Sequence, residues 1–86
     1  MTPAQKELAR HALGLPNAAR RSYRNRYFAG AGGAAAEQWQ GMVAAGEAEG
    51  GEPGHKVSSL FFCLTRKGAE LALDPRESLC PEDFPR

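Results

Sequence analysis

Apolar residues recur at helical spacing in three stretches of the chain and alternate in a fourth. In the first, Ala4, Leu8, Ala9, Ala12 and Leu13 form a broad helical face, and Leu15 closes the segment. Thr2 suits the N-cap, Pro3 the first helical position, and Gln5 the third position of a capping box. Gly14 and Pro16 end this helix near Leu13. A second helix is expected over residues 34–45, with Ala35, Trp39, Met42 and Val43 on one face. Glu37 lies opposite, and Gln38 and Gln40 lie on the flanks. Gly41 weakens this helix and Gly46 stops it. Trp39 is the expected centre of the core, because burial of an aromatic dominates a small core. Thr65 caps a third helix over residues 66–73. Its inner face is Ala69, Ala72 and Leu73, Leu71 falls on the far side, and Asp74-Pro75 ends it.

The alternating stretch is residues 56–64. Leu60, Phe62 and Leu64 face one side, and Phe61 and Cys63 face the other. Both faces are apolar, which implies a strand covered on both sides or lying at an interface, with Phe61 and Cys63 as the interface residues. Residues 17–28 fit two periods. Ala19, Tyr23 and Tyr27 recur by four behind a capping Asn17, while Tyr23, Asn25 and Tyr27 alternate. Aromatics favour strands, so a short helical turn over 17–21 and a strand over 23–28 are expected. Residues 29–33 read as a flexible glycine loop, without the lysine and spacing of a phosphate-binding loop. Residues 46–56 read as a flexible loop bearing Glu47, Glu49 and Glu52. The tail, 77–86, is expected to pack on the domain through Leu79 and Phe84. The expected architecture is α+β: one small domain over 1–86, with three helices and a short β-hairpin or small antiparallel sheet.

Composition fits that picture. The 86 residues suffice for one domain, and 42% apolar content argues against disorder. No apolar run approaches the ~18 residues of a membrane span. Lys6, Glu7, Arg10 and His11 interrupt the N-terminal stretch, so it does not read as a secretory signal. A cytoplasmic location is expected, where thiols stay reduced. Cys63 and Cys80 then read as small hydrophobes, with no zinc or redox spacing. His11, His55, Cys63 and Cys80 follow no metal-ligand pattern, and no cofactor is implied. Ser22, Ser58, Ser59 and Ser78 lie in no nucleophile motif. Nothing forms a nucleophile–base–orienter set, so the chain does not read as an enzyme.

Charge distribution adds more than the net charge of +1. Residues 1–28 hold six cations against Glu7 alone, net +5, and residues 29–86 hold five cations against nine acids, net −4. Such asymmetry marks either an anionic partner or two halves that attract each other. Arg20, Arg21, Arg24 and Arg26, with Tyr23 and Tyr27 interleaved, suit phosphates and stacked bases.

From Trp39 the order is helix, Gly46 turn, loop, apolar strand, then Leu64-Thr65-Arg66-Lys67-Gly68-Ala69-Glu70-Leu71. Over roughly 39–73 this resembles the second half of a winged-helix domain, in which a wing strand runs into a Leu-Thr-x-x-Gly helix start. The chain also resembles small phage- and prophage-encoded proteins, through Arg21-Ser22-Tyr23-Arg24-Asn25 and Pro81-Glu82-Asp83-Phe84-Pro85. The helix in the recognition position, 34–45, has no Lys or Arg, and the wing tip carries three glutamates, which phosphates repel. The first functional expectation is therefore a non-catalytic protein-interaction or regulatory module with a host or phage protein as partner, or a homodimer. The alternative is nucleic-acid binding through Arg20, Arg21, Tyr23, Arg24 and Arg26. No membrane partner is implied.

Overall fold

The structure, a computed structural model, describes residues 1–53 and 59–85. The elements are α1 (Pro3–Leu13), β1 (Tyr27–Gly30), α2 (Ala34–Ala44), β2 (Ala48–Pro53), β3 (Ser59–Leu64) and α3 (Arg66–Ala72). The three strands form one antiparallel sheet in the order β1-β3-β2, so the fold is a small α+β domain of three helices and a sheet. The outset of the expected strand at 56–58, residues 54–56 of the expected loop, His55, Ser58 and Arg86 lie outside the described residues.

The helix starts follow local chemistry. Thr2 Oγ1 accepts from the Gln5 N–H (3.1 Å), and Gln5 Oε1 accepts from the Thr2 N–H (3.0 Å). Thr65 Oγ1 accepts from the Gly68 N–H at 3.2 Å and donates to the Gly46 carbonyl at 2.8 Å, tying the start of α3 to the end of α2.

All three helices bury residues against one face of the sheet. Trp39 is fully buried and stacks on Phe62, ring centroids 5.5 Å apart and planes 16° from parallel. Leu13, Met42, Leu64 and Ala29 complete the centre, and Ala9, Ala12, Ala69 and Ala72 line α1 and α3 where they meet. Phe84 is buried and Leu79 packs against the core, so the tail lies on the domain through both residues.

Four local expectations are corrected. Residues 17–21 form a turn rather than helix. Asn17 does not cap; its side-chain amide donates to the Gly14 and Arg21 carbonyls, and Arg20 takes a left-handed φ of 55°. The strand expected over 23–28 begins only at Tyr27 and takes in Ala29 and Gly30, which read as loop. The cause is tertiary: the Tyr23 N–H donates to the Leu13 carbonyl and the Arg26 N–H to the Ala12 carbonyl, so this segment runs along the end of α1. The stretch read as the start of a flexible loop forms β2 instead. Gly50 permits this, with φ 122° and a Cα so close to β3 that a Cβ would stand 2.2 Å from the Phe61 carbonyl oxygen. In α2 the buried face is Ala36, Trp39 and Met42, while Val43 points outward.

Strands β2 and β3 pair, and β3 leads directly into α3. Helix α2 lies between β1 and β2. Among the described residues no helix is long and apolar enough to cross a membrane.

Candidate interaction surface on the outer sheet face

Alternation along β3 sends Phe62 and Leu64 into the core and leaves Phe61 and Cys63 half-buried on the other side. Phe28 on β1 stands opposite Phe61 in register, and their rings pack 5.2 Å apart at 55°. Phe28 remains 47% exposed, although aromatic rings contribute most when fully buried. The helices bury their residues in the cluster around Trp39 and Phe62, on the opposite side of the sheet. The outer face thus carries an aromatic pair that its own helical layer does not use.

Charge flanks that pair on both sides. Glu49 on β2 stands opposite Cys63. The Cys63 thiol is pushed up from its ordinary value, first by burial and then by the Glu49 carboxylate, so it stays protonated at neutral pH. On the β1 side, His11, Arg24, Arg26, Tyr27 and Phe28 line a hollow of about 300 Å³. The Arg24 guanidinium donates to the His11 carbonyl at 2.7 Å and lies 5.3 Å from the centre of the Tyr23 ring. The His11 ring meets Tyr27 edge-on at 5.4 Å. Tyr23 is 62% exposed.

The arginine cluster does not form one patch. Arg24 and Arg26 line the hollow beside Phe28. Arg21 forms a parallel bridge with Ser78 and lines a separate cavity of about 570 Å³ beneath the tail, together with Arg66, Leu73 and Phe84. Arg20 lies at the turn that precedes Arg21 and is exposed.

The acids of the second half neutralise other cations. Lys6 pairs with Asp74 at 2.8 Å, and Arg10 pairs with both Asp74 and Glu77. The N-terminal ammonium lies 3.5 Å from the buried Glu47 carboxylate. Among the described residues no carboxylate pairs with Arg20, Arg21, Arg24 or Arg26.

Phe61 and Cys63 are where alternation put them. Phe28 and Glu49 were missed as partners of that face. Phe28 alternates with Tyr27, the signal that could have found it, whereas Glu49 lay in a stretch without strand-forming residues. Among the described residues no group of three His, Cys, Asp or Glu side chains could hold a metal ion. Ser22 is buried, and its hydroxyl accepts from the Cys80 N–H at 2.8 Å, a structural contact.

Comparison with protein-family models, curated proteins and solved structures finds no match to this chain.

Proposed function

We propose that the chain is a non-catalytic interaction module that engages a protein partner through the outer face of its sheet. The observation that supports this most is the Phe28–Phe61 pair, packed ring to ring on the side away from the helices with Phe28 nearly half exposed. Interfaces are enriched in aromatics at their centre and ringed by polar groups, and Arg26 and Glu49 supply such a rim here. The resemblance to small phage-encoded proteins suits a module of this kind, one that modulates a larger protein by occupying a surface. The test is affinity capture with the wild-type chain and with Phe61→Ser as bait, both checked for equal folding. The reading expects a species retained by the first and lost by the second. Equal retention on both baits counts against it.

A second reading, nucleic-acid binding, is favoured by one observation: Arg24 and Arg26 lie beside Phe28 with no carboxylate partner among the described residues. Guanidinium groups next to an exposed ring can hold a phosphate while the ring stacks on a base. Glu49 on the same face opposes it. Mobility shift with single- and double-stranded probes at two salt concentrations tests it. A shift that weakens with salt and disappears in Arg24→Ala with Arg26→Ala would establish it, and no shift at low salt removes it.

A further inference from the structure

We infer that the partner seated on the outer sheet face is a second copy of this chain, packed face to face about a two-fold axis running along β3. The inference rests on the interaction-module reading and names its partner.

The charge layout across the sheet carries it. Glu49 pairs in register with Cys63, and Tyr27 pairs with Phe62. The Asn25 side chain holds the Leu64 backbone, with its Nδ2 donating to the Leu64 carbonyl at 3.0 Å and its Oδ1 accepting from the Leu64 N–H at 2.8 Å. Arg26 lies between these two anchors, so it stands level with Cys63 on the β1 side. One line across the face therefore reads cation, thiol, carboxylate, with the aromatic pair Phe28 and Phe61 beside it.

A two-fold interface brings the same patch together from both copies, so the patch must complement itself. Rotation about an axis along β3 exchanges the β1 and β2 sides. Arg26 of each copy then lies over Glu49 of the other, and Phe61 and Cys63 lie over their own counterparts. Face-to-face sheets pack about 10 Å apart, a gap that phenylalanine and cysteine side chains from both faces fill. Rotation about an axis across the strands along the row of Cys63 and Glu49 would instead set Arg26 over Arg26 and Glu49 over Glu49, which like charge disfavours. Nucleic acid suits this face less well, because its phosphates would meet Glu49.

Sedimentation velocity over a concentration series tests the inference. The wild-type chain is expected to associate reversibly to a dimer. Arg26→Glu and Glu49→Arg should each weaken association at least ten-fold, and Arg26→Glu combined with Glu49→Arg should restore most of it. Both side chains are exposed, so each variant should melt as the wild type does, and recovery in the double variant separates pairing from misfolding. In a Cys80→Ser background, a short bismaleimide should trap the dimer through Cys63. A wild-type chain that stays monomeric at every concentration overturns the inference. So does a double variant no better than either single. A monomer whose Phe61-dependent bait captures a different protein overturns the second copy and leaves the interaction module standing. A salt-sensitive shift with single-stranded nucleic acid, lost in Arg26→Glu, overturns both.

Discussion

The side chain of Asn25 acts as a strand residue for Leu64, donating to its carbonyl and accepting from its N–H. It extends the β1–β3 ladder by one pair with an amide side chain in place of backbone. The backbone of residues 23–26 is thereby free to bond to the C-terminal carbonyls of α1, and this places Arg24 and Arg26 beside Phe28. Asn25→Asp keeps the acceptor and loses the donor, leaving the Leu64 carbonyl without its partner. It should lower stability by about 1–3 kcal/mol, read by denaturant unfolding. An unchanged midpoint would show that the contact adds nothing.

A second prediction concerns acid. The Arg10 guanidinium, hydrogen-bonded to Glu77, holds that carboxyl at about 2, below its ordinary 4.5; burial opposes the shift, and the Asp74 N–H adds to it. A depressed folded pKa stabilises above the unfolded value and is lost as pH falls through the folded one. The contribution is therefore complete above about pH 5 and disappears between 4.5 and about 2. Glu77→Gln should cost on the order of 1–3 kcal/mol at pH 7 and almost nothing near pH 2. Melting curves of both proteins at the two pH values should converge in acid, and a gap that persists at pH 2 contradicts the pairing.

Trp39 offers a third. It stacks on Phe62 and lies 5.4 Å from the Tyr27 ring, yet its indole N–H has no hydrogen-bond partner among the described residues. Trp39→Ala should cost about 3–5 kcal/mol. Trp39→Phe should cost much less, because the lost volume is offset by removal of an unsatisfied buried donor. Equal losses in the two variants, measured by chemical denaturation, would contradict this account of the Trp39 site.

Gly68 gives a fourth. Alanine is the better helix former, so Gly68→Ala on an exposed helix should stabilise by about 1 kcal/mol. Here a Cβ would stand 1.8 Å from the Glu47 carbonyl oxygen, where α3 crosses the chain leaving α2. Destabilisation by about 1–3 kcal/mol or more is expected. A higher melting temperature for the variant would show that α3 can shift freely.

How much of this was legible in the sequence follows the range of the forces involved. The caps at Thr2 and Thr65 and the alternation of Phe61, Phe62, Cys63 and Leu64 depend on neighbours a few residues away, and the structure has all of them. Strand β2 was not legible. Gly50, Gly51 and Pro53 have no intrinsic strand preference, and the segment pairs because it lies against β3. β1 was misplaced because carbonyls of α1, distant in sequence, hold residues 23 and 26. The arginines were legible as a group, but the Arg21–Ser78 bridge that separates Arg21 from Arg24 and Arg26 involves a tail more than fifty positions away. Phe61 and Cys63 came from a local period, whereas Glu49 joined their face only through the β2 register.

Amide NMR spectra of the isotope-labelled chain over a dilution series test the central claim most directly, since they report residue by residue where contacts form. Shifts gathered on residues 26–30, 48–50 and 59–63, with α3 and the tail unmoved, are the predicted result. Shifts gathered on the helical layer or around the tail cavity, with the sheet unmoved, would contradict it.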